Sequence, residues 1–172
     1  MRVQNKKFWW KFVLDPHILD IDPMKQQIID AVRRVIAERM ANAQVAMQVA
    51  QESANSETKS SAGDKYETGR SMGQLDRNMY AQQYEQARQE MVVVARLADS
   101  TALPPPVVVV GALVKTTGGT FWLAVSIGKI TVENQDVVVI SPQTPVGKLL
   151  LDKKVGDIVK LMNGSVIIEA IC

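Results

Sequence analysis

The chain has 172 residues, 47% hydrophobic and 22% charged, with 20 Lys and Arg against 18 Asp and Glu for a net charge of +2. So even a balance excludes a broad basic face, which supplies most of the affinity in general nucleic-acid binding. The single cysteine, Cys172, excludes an internal disulfide and fits a reducing compartment; with the single histidine, His17, in the tail, no Cys/His metal cluster and no Ser-His-Asp or Cys-His triad is expected in the folded region.

Residues 1–23 read as a tail. Within it, Phe8 to Leu14 (FWWKFVL) follows a basic start, but Lys11 interrupts the apolar run and Asp15-Pro16 ends it. No small-residue cleavage site follows, and the run is far shorter than the roughly 20 residues a membrane span needs. Neither export nor a membrane partner is therefore expected. The tail is either a disordered arm or translation from an upstream start, and Met24, which opens the helical pattern directly, favours the second reading.

From Met24 to Ala62 there is neither Gly nor Pro, and Ala, Gln, Met, Glu and Arg dominate. These residues lose little entropy in a helix. Asp22-Pro23 supplies a start, an N-cap acid followed by a Pro suited to the first turn. Ile29, Ile36, Met40, Ala43, Met47, Ala50 and Ala54 step mostly by four and three, which predicts a coiled-coil seam. A second run begins near Glu67, with Tyr80, Tyr84, Ala87, Met91, Val94 and Ala98 in the same rhythm. A short connection between two such runs predicts an antiparallel hairpin over 24–103. Each arm would be about 50 Å long at about 1.5 Å per residue.

The connection is Ser53 to Arg70, where Asn55, Ser56, Ser60, Ser61 and Gly63 compete with helical hydrogen bonding. Asp64 and Glu67 follow, giving an acidic tip near 60–70. At positions i and i+3 of a starting helix their Cβ atoms lie about 5–6 Å apart on one face. Taken alone, such a pair reads as ordinary helix-capping acids.

Pro104-Pro105-Pro106 ends the second helix, and 104–172 is rich in Val, Ile and Gly. Strands are predicted at Val107–Lys115, Thr120–Ile127, Asp136–Ile140, Ile158–Met162 and Val166–Ile171. Hairpin turns are expected at Thr117-Gly118-Gly119 and Asn163-Gly164, and a short covering helix at Pro145–Leu151. The module sits near the lower size limit for independent folding, so its Val and Ile must be well buried.

Two stretches resemble the Gre family of transcript-cleavage factors, GreA and GreB. One is Val110-Gly111-Ala112 followed by ISPQTPVGKLLLDKKVGD from Ile140 to Asp157, which repeats the family's Ser-Pro turn, short helix and Lys-x-x-Gly-Asp turn in order and spacing. The other is Gly63-Asp64-x-x-Glu67 at the tip of the predicted hairpin. Together they cover Met24 to Ile171, leaving the tail without a counterpart.

The resemblance implies an α+β fold, an antiparallel helical hairpin plus a small FKBP-like β-sheet domain with a short helix. It implies a cytoplasmic transcription elongation factor that binds RNA polymerase in its secondary channel. Docking would use Ser141, Pro142, Pro145, Gly147, Lys153 and Lys154. Asp64 and Glu67 would act within the polymerase active site, sharing a magnesium that they bind only weakly alone, so that backtracked RNA is cleaved. Lys65 and Arg70 would touch the nascent RNA near its 3′ end. No tightly bound cofactor, independent active site or sequence-specific DNA binding is expected. In the family the tip Glu is typically followed by Asn and an acidic-Tyr pair; Thr68-Gly69-Arg70 stands here, which keeps a non-cleaving regulator or inhibitor of the same channel open.

Overall fold

The computed structural model describes residues 23–57, 65–98, 105–162 and 164–172, with backbone alone at 23, 56, 57 and 65–70. Helix α1 spans Pro23–Glu57 and α2 spans Lys65–Ala98. They run antiparallel: Gly73 meets Ala54 near one end, and Arg39 pairs with Glu90 nearer the other. With 35 and 34 residues, each arm is about 50 Å long.

The seam falls where the four-three rhythm puts it. Ile29, Ile36, Ala43, Ala50 and Ala54 of α1 are buried, as are Ala87 and Val94 of α2, while Met40, Met47, Tyr80, Tyr84 and Met91 are half-buried. Ala at the contact positions lets the helices approach closely. At Gly73 they approach so closely that a Cβ would lie 2.9 Å from the Ala54 Cβ and 3.3 Å from the Ala50 carbonyl. A glycine inside a helix costs about 1 kcal/mol relative to Ala, and here the close crossing offsets it. The predicted bend over Ser53–Arg70 is shorter than expected, because Ser53–Glu57 and Lys65–Arg70 are helical.

The strands are β1 Leu113–Thr116, β2 Gly119–Leu123, β3 Gly128–Val132, β4 Gln135–Ile140, β5 Ile158–Leu161 and β6 Gly164–Ile171. Helix α3, Pro145–Leu150, lies between β4 and β5. The six strands form one sheet in the order β3-β4-β2-β1-β6-β5. Only the β2–β4 pair is parallel; all others are antiparallel. The architecture is therefore α+β, a helical hairpin and a six-stranded sheet with a short helix.

Two sequence expectations need correction. Strand β1 does not begin at Val107. Gly111 has φ +93°, outside the strand region, and Val108 instead exchanges backbone hydrogen bonds with Asp152 and Lys153 beyond α3. Val108 is buried but Val109 and Val110 are exposed, so that quartet is not a buried strand. The other correction is β3, Gly128–Val132, which no expected strand covers; the expected Thr120–Ile127 strand instead overran β2, which ends at Leu123. The chain leaves β2 at Leu123 and returns as an edge strand paired to β4 across a two-residue turn, Glu133-Asn134. Both turn residues have positive φ, +49° and +61°, as a type I′ hairpin turn requires.

Each face of the sheet is closed by something different. On one face Val114, Leu123, Ile140, Val159, Val166 and Ile168 pack with Leu150 of α3 and with Val108. On the other, Leu113, Trp122, Val132, Val137 and Val139 pack against Ile28, Ile29, Val32 and Ile36 of α1 and Ala87 and Val94 of α2. Ile28 and Val32 lie off the hairpin seam because they serve this second contact. Hairpin base and sheet therefore share one core. Replacing Ile28 with Ala should cost about 2–5 kcal/mol. Urea unfolding followed by helical circular dichroism and by amide exchange in β2 and β4 should shift together, since both modules lose the same contact.

Candidate functional site

The hairpin leaves the sheet at one end only. Ile36 is the last buried α1 residue in the core shared with the strands, Met40 packs at its edge one turn on, and the helix continues to Glu57, about 30 Å beyond Ile36 at about 1.5 Å per residue. Of the two expected acids, Glu67 falls at the far end. Lys65, Glu67 and Arg70 lie in the first two turns of α2, so the helix starts immediately after Asp64. Asp64 itself, and with it the expected pairing of Asp64 with Glu67, lies outside the described residues.

Polar contacts secure the base. Arg39 of α1 donates to the carbonyls of Ser126 (3.4 Å) and Ile127 (3.5 Å) in the β2–β3 connection, and its guanidinium pairs with Glu90 of α2 at 3.5 Å. Gln27 donates to Glu133 in the β3–β4 turn at 2.7 Å. Between Arg39–Glu90 and Ser53, small side chains leave a shallow groove floored by Ala43, Ala46, Ala87 and Tyr80. Among the described residues its Arg39 guanidinium is engaged with the Glu90 carboxylate, Asp76 lines the far part alone, and no acid-base pair suited to chemistry faces it.

The expected docking residues divide into two neighbouring turns. Thr144 caps α3: its Oγ1 accepts from the Gly147 N–H at 3.1 Å and its hydroxyl donates to the Ser141 carbonyl at 2.7 Å. The Ser141 hydroxyl bonds the Gln143 side chain and also accepts from the Gln143 N–H at 3.2 Å. Pro145 fills the first helical position, where a missing N–H costs nothing. Gly147 is buried, and any Cβ there would collide with the Ser141 carbonyl. It builds the turn and offers no surface to a partner, unlike half-buried Ser141 and Pro142 and exposed Pro145.

Lys153 and Lys154 are exposed in the turn after α3. The Asp157 carboxylate accepts from the Lys154 N–H at 2.8 Å, and Gly156 takes φ +92°, so the Lys-x-x-Gly-Asp stretch is a closed turn rather than a strand start. Among the described residues no group of three or more His, Cys, Asp or Glu could hold a metal, and no helix is long and apolar enough to cross a membrane.

Among solved structures, the chain is similar to the crystal structure of GreA factor homolog 1 protein of Thermus thermophilus, at 15% identity and a TM-score of 0.31, over 81% of this chain and 94% of that one. No family model and no curated protein matches the sequence.

Two measurements check the local chemistry. Thr144→Ala should remove the α3 cap and cost about 1 kcal/mol in urea unfolding. On α2, hydrogen bonds from Arg88 and Gln89 lower the Glu85 pKa from 4.5 to about 2. A carboxylate held below its unfolded value adds stability above that value and loses it as pH falls through the folded one, here between about 4.5 and about 2. In a carboxyl-carbon NMR titration, Arg88→Ala should move the Glu85 midpoint back up toward 4.5.

Proposed function

We propose that this chain is an accessory factor of RNA polymerase that docks through its sheet module and sends its helical hairpin into the secondary channel. The observation that carries the reading is the arm itself. It is anchored at its base in the sheet core and runs about 30 Å beyond, toward the segment that holds Asp64. A thin rod with an Ala seam suits a narrow channel. An independent enzyme, by contrast, would need a pocket that pairs a nucleophile with a base, and among the described residues the hairpin grooves bring no such pair together.

Within that reading, Asp64 and Glu67 position a magnesium ion and its water beside the polymerase's own carboxylates, and Lys65 and Arg70 steady the RNA phosphates. Magnesium typically keeps several waters and takes one or two carboxylates plus phosphate oxygens, so two acids on an arm complete a site they could not make alone. The ion would supply charge stabilisation and an activated water for hydrolysis of the backtracked RNA. The factor has no activity by itself. Ser141, Pro142, Pro145, Lys153 and Lys154 form the docking turns, and magnesium is the only shared cofactor.

A second reading is a channel-occupying regulator that does not stimulate cleavage. Thr68-Gly69-Arg70 favours it, because an Arg stands near the place where the family pattern puts an acid. Reconstituted backtracked complexes separate the two. Stimulated cleavage that falls by about 100-fold or more in Asp64→Ala/Glu67→Ala, with polymerase binding kept, is the expected result. Cleavage untouched by the double substitution excludes the metal role. Slowed cleavage with wild-type protein selects the regulator.

A further inference from the structure

The hairpin base covers only part of the sheet face it packs on. Buried members of that core come from β1, β2, β3 and β4, none from β5 or β6. Strand alternation and register show what the uncovered part carries. Leu113 faces the hairpin, so Lys115 shares that face; Val159, Val166 and Ile168 face α3, so Ile158, Lys160 and Ile167 point the other way. Ile158 and Ile167 are direct cross-strand partners, 68% and 44% exposed. Paired isoleucines standing in water on a strand's outer face are out of place, because that face of an edge pair is ordinarily polar.

We infer that the bare β5–β6 face is a second docking surface, and that its occupant is an acidic protein segment carrying apolar side chains. The inference rests on the polymerase reading and places that segment on RNA polymerase. The charge pattern supports the choice. Lys115 and Lys160 flank the isoleucine pair, and neither makes an ion pair among the described residues. The exposed Lys153 and Lys154 turn leads directly into β5 and adds Val155, itself 58% exposed. Glu169 is the one acid of β6 beside this lysine-rich rim.

Two other occupants fit less well. A second copy joined edge to edge through β5 would bring Lys160 toward its own counterpart, and lysine on an edge strand opposes that pairing. Nucleic acid would want an aromatic stacking platform, and the sheet's Trp122 is fully buried with its indole N–H donating to the Gly111 carbonyl.

The test uses full-length protein and purified RNA polymerase core enzyme, with binding read by fluorescence anisotropy at low and at physiological salt. The variants are Ile158→Thr/Ile167→Thr, which keeps β-branching and hence strand propensity, Lys115→Glu/Lys160→Glu, and Val92→Ser as a control elsewhere on the surface. Each double variant should bind about tenfold more weakly, and the lysine pair should also flatten the salt dependence, with Val92→Ser unchanged. Wild-type affinity in both double variants overturns the docking face and leaves the polymerase reading standing. Absence of binding by the wild-type protein overturns both. Tighter binding of the wild type to a free RNA oligonucleotide, lost in Lys115→Glu/Lys160→Glu, assigns the face to nucleic acid and overturns the acidic-protein occupant.

Discussion

Ile28, Ile29, Val32 and Ile36 touch Trp122, Leu113, Val137 and Val139 at the base of the hairpin, and the rest of the molecule takes its geometry from that contact. Away from the base, the seam is largely alanine, with half-buried methionines and tyrosines. An alanine buries little area. A fully buried isoleucine, valine or leucine contributes about 1.5–3 kcal/mol, so the branched residues at the base dominate the apolar stabilisation of the arm. Two isolated helices with so thin a seam would be marginal in water. Joined to a sheet, they share its core and inherit its rigidity.

That arrangement has a mechanical consequence. A lever is useful only if its fulcrum does not rock, and at the base apolar packing is supplemented by directional bonds. Arg39 holds two consecutive carbonyls of the β2–β3 connection while pairing with Glu90 on the opposite helix. Gly111, at the entrance to β1, brings the chain so close to α2 that a Cβ would stand 2.9 Å from a Leu97 methyl. Further out, Gly73 closes the helices to near backbone contact. Width is thus spent where the arm meets the sheet and removed toward the tip.

How much of this was legible in the sequence follows from the kind of signal each part leaves. The helices were readable because a four-three rhythm over thirty residues is hard to produce by chance, and the α3 turn because Thr144-Pro145 and Gly147 are tied to specific backbone demands. Strand β3 was not, since Gly128–Val132 is a half-exposed edge strand with little alternation and its turn, Glu133-Asn134, lacks the glycine that normally marks a type I′ bend. The start of β1 was misplaced because four valines in a row look like a buried strand whichever way the backbone runs. Ile28 and Val32 escaped the seam because a helix that packs on two partners has two stripes, and one period cannot describe both. The tip acids are the reverse case: Asp64 and Glu67 are visible in the sequence, and the fold adds that Glu67 belongs to the first turn of α2.

The uneven covering of the sheet has a simple geometric origin. A layer two helices wide measures about 20 Å across. Six strands at about 4.8 Å spacing need roughly 24 Å between the first and last alone, before side chains are added. One hairpin base therefore cannot close the whole face, and the strands left out are the pair farthest from β3, namely β6 and β5. Most small sheets resolve such an excess by making the uncovered positions polar. Here Lys160 and Ser165 follow that rule, and their neighbours Ile158 and Ile167 break it. Sequence periodicity alone could have raised the question, since Ile167 and Ile168 are adjacent on one strand and cannot both face the same core. Only the register shows that the outward isoleucine has an isoleucine beside it, and that a hairpin already committed to β1–β4 does not reach them.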